Sequence, residues 1–383
     1  MEPQPSPIRM SVLVSTLAAN SAELFLRDLL LTINRSLIDP KLIFLKQPGV
    51  VGEELIQKGF EAVSDLSPSR FSSKATQRIG QALQEQDSEL LFLINHLNSM
   101  VYGIPAGRKQ NIPIINWCNM TDQPNQVNRV DMACRRLLHF KVDTIIAAAR
   151  GHRDYLIRYE GLPAEKIKVI YNGISPKHIR ATQSPEETRR MLEIPRDAKV
   201  ISQLASLRPD KAHEIMLEAM VYIKNKIPES LLLIVGDGEQ RNFLEEQARK
   251  FGLENHCRFL GERQDIGNIL AITDTVAISS LPHHETLSIE AIESLFSGTP
   301  VVSTDVGFMN EIILQEITGL LVPPRSPEQL ALATIKILRD NRLRAKMSLK
   351  AKEHIEQLCN TEVMTRKFEQ EIITLSDREQ LKT

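Results

Sequence analysis

Two glutamates, Glu285 and Glu293, flank seven residues in LPHHETLSIEAIESLFSGTP, positions 281–300. Ser288 reads as a helix N-cap, followed by Ile289, Ile292, Leu295 and Phe296 at helical spacing. At about 100° per residue, Glu293 falls between Ile289 and Phe296 on the face to be buried, with Glu290 further round toward solvent. A carboxylate on an apolar face is costly unless something satisfies it. Glu285 stands just before the helix start, where unpaired N–H groups and the dipole favour an anion. The pattern describes a pocket with one carboxylate at its mouth, one deeper, and an anion seat between them. Two glutamates near a helix also read as plain surface charge.

Cations recur at a second strand-to-helix junction. In QLASLRPDKAH, 203–213, Arg208 and Lys211 lie between an apolar run and a helix start, where open α/β sheets place ligands. A diphosphate there would meet two charges and helix amides; a solvated basic loop fits these residues equally. Gly236–Asp237–Gly238 follows the apolar run LLLIV, and glycine at a strand end permits a tight turn and close backbone approach. His283 and His284 stand beside Glu285, but adjacent histidines do not readily share one face. There is no D-x-D, and no His, Cys, Asp or Glu cluster has metal-ligand spacing, so no metal is expected.

These residues need elements to hold them. Short apolar runs alternate with amphipathic segments: MSVLVST, a helix over 21–35, KLIFLK, LLFLIN, PIINWC, TIIAAA and KIKVIYN. The second half repeats the theme with KVISQLA, a helix over 212–226, LLLIVGD, a helix over 239–251, HCRFLG, TVAISS, PVVSTD and GLLVPP. Strand–helix alternation of this kind predicts parallel sheets with covering helices, hence two doubly wound α/β domains. The boundary belongs near YNGISPKHIR, 171–180, where Asn172–Gly173 is a turn signal and Pro176 discourages continued structure. A last helix over 361–375 carries Val363, Met364, Phe368 and Ile372 on one face.

Composition bounds the rest. At 383 residues the chain is long for one core and comfortable for two. A net charge of −1 and 5% aromatics argue against a general nucleic-acid binder. Four scattered cysteines without a C-x-x-C pair suit buried thiols in a reducing compartment. MEPQPSPIRM has no apolar core of a secretory signal, and no run of eighteen apolar residues predicts a spanning helix, so a cytoplasmic protein is expected. Basic and apolar residues interleave in RVDMACRRLLHFK, 129–141, which suits either peripheral membrane contact or the solvated edge of a helix.

The 281–300 pattern, with SGTPVVSTDVGFMNEII and then TGLLVPPRSPEQLALAT, resembles the family-4 retaining glycosyltransferases (glycosyl transferases group 1) of the GT-B fold. The resemblance covers nearly the whole chain and is stronger after residue 160. It implies two Rossmann-like domains facing a cleft. Residues 1–177, with the helix 360–383 packing back on them, would bind acceptor, and 178–359 would bind the nucleotide sugar. Carried over by position, Glu293 would take the ribose hydroxyls and Glu285 the donor-sugar hydroxyls. The N–H groups of Thr286, Leu287 and Ser288 would face the diphosphate, together with Arg208 and Lys211. Gly236 lies in the turn beside the donor and Arg263 in the segment that holds the base, where it either stacks or faces solvent.

The resemblance thins in the first half. Asn20 and Ser21 replace two glycines of a donor-phosphate loop, and Ser206 stands at the usual arginine position, with Arg208 two residues later. Asn119 replaces a histidine near the donor sugar, while His96 matches a histidine at an earlier strand end. The implied activity is retaining, metal-independent transfer of a sugar from a nucleotide-diphosphate sugar, UDP-sugars being favoured, to a saccharide, lipid-linked or small-molecule acceptor, with no separate cofactor. A non-catalytic nucleotide-sugar-binding or scaffold protein and a nucleotide-sugar epimerase are the rival expectations.

Overall fold

The structure is a computed structural model that describes residues 6–18, 21–67, 72, 74–94, 97–118, 129–177, 179–282 and 286–380, and all their side chains except 21, 22, 129–132 and 378–380. It divides into two compact units, Met1–Gly173 with Thr361–Thr383, and Ile174–Asn360.

The first unit is built on seven strands: β1 Ile8–Val14, β2 Ile38–Phe44, β3 Ala62–Val63, β4 Leu90–Ile94, β5 Ile114–Cys118, β6 Thr144–Ala147 and β7 Ile167–Val169. Their order is β3-β2-β1-β4-β5-β6-β7, and every pair is parallel. β4, β5 and β6 are buried along their whole length, which is why they read as unbroken apolar runs rather than alternations. The two-residue edge strand β3 was not expected; a segment that short carries no periodicity to detect.

The helix Thr361–Gln380 belongs to this first unit although the chain reaches it last. Met364, Phe368, Ile372 and Leu375 are buried, while Val363 is only partly so. The Phe368 ring meets Trp117 of β5 at 5.0 Å and Phe92 of β4 at 5.8 Å, both edge to face.

The second unit has six parallel strands: β8 Lys199–Leu204, β9 Ser230–Val235, β10 Cys257–Gly261, β11 Thr275–Ile278, β12 Val301–Thr304 and β13 Gly319–Val322. Their order is β10-β9-β8-β11-β12-β13. The chain therefore moves outward from β8 in one direction, returns, and moves outward from β11 in the other. The carboxyl ends of β8 and β11 flank the point of reversal, where a parallel sheet leaves a crevice between diverging connections. Helices His213–Lys226 and Pro327–Arg339 cover one face, burying Met216, Met220, Ile223, Leu330 and Ile337 against Leu232, Ile234 and Val302.

No disulfide forms among the described residues; Cys118, Cys257 and Cys359 are buried, and burial pushes the Cys257 thiol up to about 12. Among the described residues no helix is long and apolar enough to cross a membrane.

Candidate functional site

Ser206, Gly236, Arg263 and Glu293, with Lys211 beside them, gather at the carboxyl ends of β8, β9 and β11, at the reversal point of the sheet. An open pocket of about 280 Å³ lies there, bounded by Ser206, Gly236, Asp237, Arg263, Glu290 and Glu293. A narrow recess beside it is lined by Gln203, Lys211, Ser279, Ser288 and Glu290.

Three local features shape the pocket walls. Gly236, after β9, has φ of +140°, and a Cβ there would run into the carbonyl of Ala205 after β8. Only glycine lets these two strand ends approach so closely. Lys211 ends a single turn of 3-10 helix, Pro209–Lys211, and is followed by Ala212 in the left-handed region at φ 46° and ψ 50°. That conformation costs a residue with a Cβ about 1 kcal/mol, and it turns the chain from the β8 loop into the helix His213–Lys226. Ser279, just beyond β11, fastens the corner by sharing its hydroxyl proton between the carbonyls of Lys211 (2.9 Å) and Ala212 (2.8 Å).

The helix Ile289–Ser297 enters from the third side. Ser288 caps it as expected, its Oγ accepting from the Ala291 amide at 3.1 Å, and Gly298 closes it at φ 84°. Ala291, Ile292, Leu295 and Phe296 are buried. Glu293 is half-buried, lines the pocket, and has no hydrogen-bond partner among the described residues. Burial, reinforced by the neighbouring Glu290 carboxylate, pushes its carboxyl up to about 8.

Glu290 corrects the sequence reading. It was placed toward solvent, yet its side chain is only 18% exposed and lines both the pocket and the recess. Its Oε2 accepts from Ser288 Oγ at 2.6 Å and its Oε1 lies 3.8 Å from Lys211 Nζ. The legible signal was the three-residue spacing to Glu293, which puts both carboxylates on adjoining positions of one helical face.

The two cations expected to act together are placed differently. Lys211 is 12% exposed and lines the recess, whereas the Arg208 side chain is 56% exposed and bonds Asp210 at 2.7 and 3.0 Å. Burial works against the Asp210 carboxylate, but Arg208 holds it below the ordinary range. Arg263 lines the pocket and is gripped by Asp265 at 2.8 Å through two nitrogens, which holds the Asp265 carboxyl low. Asp265 in turn accepts from Asn268, whose Oδ1 takes the amides of Thr182 and Gln183. The Arg263 guanidinium is thus fixed at the pocket edge rather than loose in solvent.

Thr286 and Leu287 are partly buried, and the Thr286 carbonyl accepts from the Phe308 amide at 3.0 Å. Ser21 opens the helix Ser21–Thr32 of the first unit, and its side chain is not among those described. Glu285, Asn20, His96 and Asn119 lie outside the described residues. Two buried polar groups beside the recess had no sequence signal. Gln203, 2% exposed, donates to Ser279 Oγ at 2.9 Å while its Oε1 has no partner among the described residues. Neither ring nitrogen of His213 is bonded to a described residue; burial, with Lys211 nearby, pushes its pKa down to about 4 and keeps it neutral.

A crevice of mixed polar and apolar lining, with glycine at a strand end, a lysine beside a capped helix start and a half-buried carboxylate, suits a ligand with an anionic group and hydroxyls. The model of the Glycosyltransferase Family 4 domain matches residues 22–178, and that of the Glycosyl transferases group 1 domain matches residues 184–354. The chain belongs to this glycosyltransferase family.

Among curated proteins it is 31% identical over 201 residues to an uncharacterized glycosyltransferase of Methanocaldococcus jannaschii, covering 51% of each chain. It is 28% identical over 228 residues to a D-inositol 3-phosphate glycosyltransferase of Saccharomonospora viridis, covering 57% of this chain and 52% of that one. The chain spans about half the length of the curated relatives it matches. Among solved structures it superposes on Anabaena HepE in complex with UDP with a TM-score of 0.85 at 21% identity, covering 96% of this chain and 100% of that one. On the sucrose-phosphate synthase of Thermosynechococcus elongatus the TM-score is 0.77 at 16% identity, with 96% and 99% covered. The fold is the GT-B glycosyltransferase fold.

Proposed function

We propose that this protein is a retaining glycosyltransferase that takes a sugar from a nucleotide-diphosphate sugar, with the nucleotide held in the second unit. The observation that carries the reading is the juxtaposition of Lys211, the capped start of the helix Ile289–Ser297 and Glu293 around one pocket at the sheet reversal. The pocket has room for a nucleoside, and Glu293 at its wall can accept two ribose hydroxyls. Lys211, Arg208 and the amides of Thr286, Leu287 and Ser288 would face the diphosphate. HepE, a protein of the same fold, is solved with UDP and with UDP-glucose, which supports a UDP-sugar as donor here.

In this reading the bond between the sugar and the diphosphate breaks through an oxocarbenium-like state, and charge grows on the departing phosphate. Chain-borne cations and amides stabilise that charge, the role otherwise taken by a metal ion. Glu285 would hold sugar hydroxyls near the reacting carbon. The first unit, with Asn20, Ser21, His96 and Asn119, would supply the remaining donor and acceptor contacts, and the acceptor is a saccharide, a lipid-linked sugar or a small molecule.

A transfer assay with UDP-, GDP- and ADP-sugars against a mixed acceptor panel tests the reading. Lys211→Ala is expected to lower kcat/KM by about 10²–10³-fold, the usual effect of losing one charge-stabilising donor, and Glu285→Ala to lower it comparably. Full activity in both variants would refute these assignments.

A further inference from the structure

Glu290 is a negative charge in a pocket read as the seat of another. Its carboxylate occupies the first turn of the helix Ile289–Ser297, where the dipole favours an anion, and it is held there by the Ser288 hydroxyl at 2.6 Å. It reaches Lys211, 3.8 Å away, and both side chains are largely withdrawn from water. Gln203, buried in the same recess, leaves its carbonyl oxygen without a partner among the described residues, so the recess is polar and incompletely satisfied by them. An ammonium, a helix start and a hydroxyl converging on one carboxylate are the contacts a phosphate group would make.

We infer that Glu290 is an internal stand-in for the donor diphosphate: it neutralises Lys211 in the ligand-free chain and must be displaced when a nucleoside diphosphate binds. The inference rests on the reading that Lys211 faces the diphosphate. The phosphate and Glu290 carry the same sign and compete for one ammonium at one helix start. Bound together without rearrangement they would repel across a poorly screened gap. Glu290 therefore weakens the hold on the nucleoside diphosphate. By the same contact it speeds departure of that product after transfer, since the carboxylate is available to reclaim Lys211 as the phosphate leaves. At the nucleoside its influence is indirect, through the Glu293 carboxyl that its charge pushes up.

Isothermal titration of the full chain with UDP, and with uridine as the phosphate-free control, tests this. Glu290→Gln keeps the shape and the Ser288 contact while removing the charge. It is expected to bind UDP about ten-fold more tightly than the natural chain, to slow UDP dissociation in stopped-flow, and to tighten uridine far less, by no more than the easier ionisation of Glu293 provides. Lys211→Ala should erase that gain, because the competition is for the lysine. If UDP binds the natural chain and needs Lys211, but Glu290→Gln binds it no more tightly, the stand-in is refuted and the site reading stands. If both UDP and uridine tighten equally, the effect is a general reshaping of the pocket and the inference also fails. If neither UDP, GDP nor ADP binds any of the three chains, the site reading falls and this inference falls with it.

Discussion

At the scale of single residues, Glu293 shows how a carboxylate in a pocket wall taxes the fold that carries it. Its pKa is about 8, against 4.5 for an ordinary glutamate, because burial and the Glu290 charge disfavour ionisation. Between pH 4.5 and 8 the folded chain holds a proton that the unfolded chain has released. Stability therefore falls as pH rises through this window, and the loss is complete above 8. The pocket is open to water, which moderates the penalty to about 2 kcal/mol. Glu293→Gln should raise the melting temperature of the second unit by about 4–8 °C at pH 8.5 and leave it nearly unchanged at pH 5. Equal gains at both pH values in a calorimetric series would show that Glu293 is not the titrating group. A ligand whose hydroxyls donate to Glu293 favours the ionised form, so nucleotide affinity in the natural chain should rise with pH where that of Glu293→Gln does so less.

At the scale of elements, the pocket exists because two strand ends touch. Gly236 after β9 lies so close to the Ala205 carbonyl that no side chain fits, and its φ of +140° suits glycine alone. Gly238, two residues on, is equally constrained, with Leu207 O at 2.6 Å from the position a Cβ would take. Gly236→Ala must push the β8 loop aside at a cost of about 2–3 kcal/mol, and that loop leads directly to Lys211. The expected result is a melting temperature lower by about 5–10 °C together with a UDP affinity reduced at least about ten-fold. Unchanged UDP binding in the variant would separate the glycine turn from the proposed phosphate seat. In the sequence, Gly236–Asp237–Gly238 was readable as a turn, but a turn motif does not tell which carbonyl it will press against.

At the scale of the whole molecule, the first unit is assembled from both ends of the chain. Phe368, Trp117 and Phe92 form one edge-to-face cluster between the helix Thr361–Gln380 and the strands β4 and β5. All three side chains are fully buried. Phe368→Ala should therefore destabilise the first unit by about 3–5 kcal/mol without altering the pocket of the second. In differential scanning calorimetry the transition raised by added UDP should keep its midpoint in the variant while the other moves down. A common shift of both would mean that the terminal helix also supports the second unit.

Much of this was legible beforehand. Parallel-sheet strands buried on both faces must be continuous apolar runs, so β4, β5, β9 and β12 announced themselves. Ser288 and Gly298 marked both ends of the helix Ile289–Ser297, because capping chemistry is local. Glu293 could be placed on that helix by its angular position alone. What the sequence could not decide was which charges meet. Arg208 and Lys211 lie three residues apart in one loop, yet one pairs with Asp210 near the surface and the other reaches Glu290 in the recess. Glu290 itself depended on where the β8 loop, 79 positions earlier at Lys211, would come to rest. Periodicity and caps follow from a residue's near neighbours in the chain. Ion pairing and burial of a carboxylate depend on the strand order β8-β11, which brings distant loops together at the one reversal of the sheet.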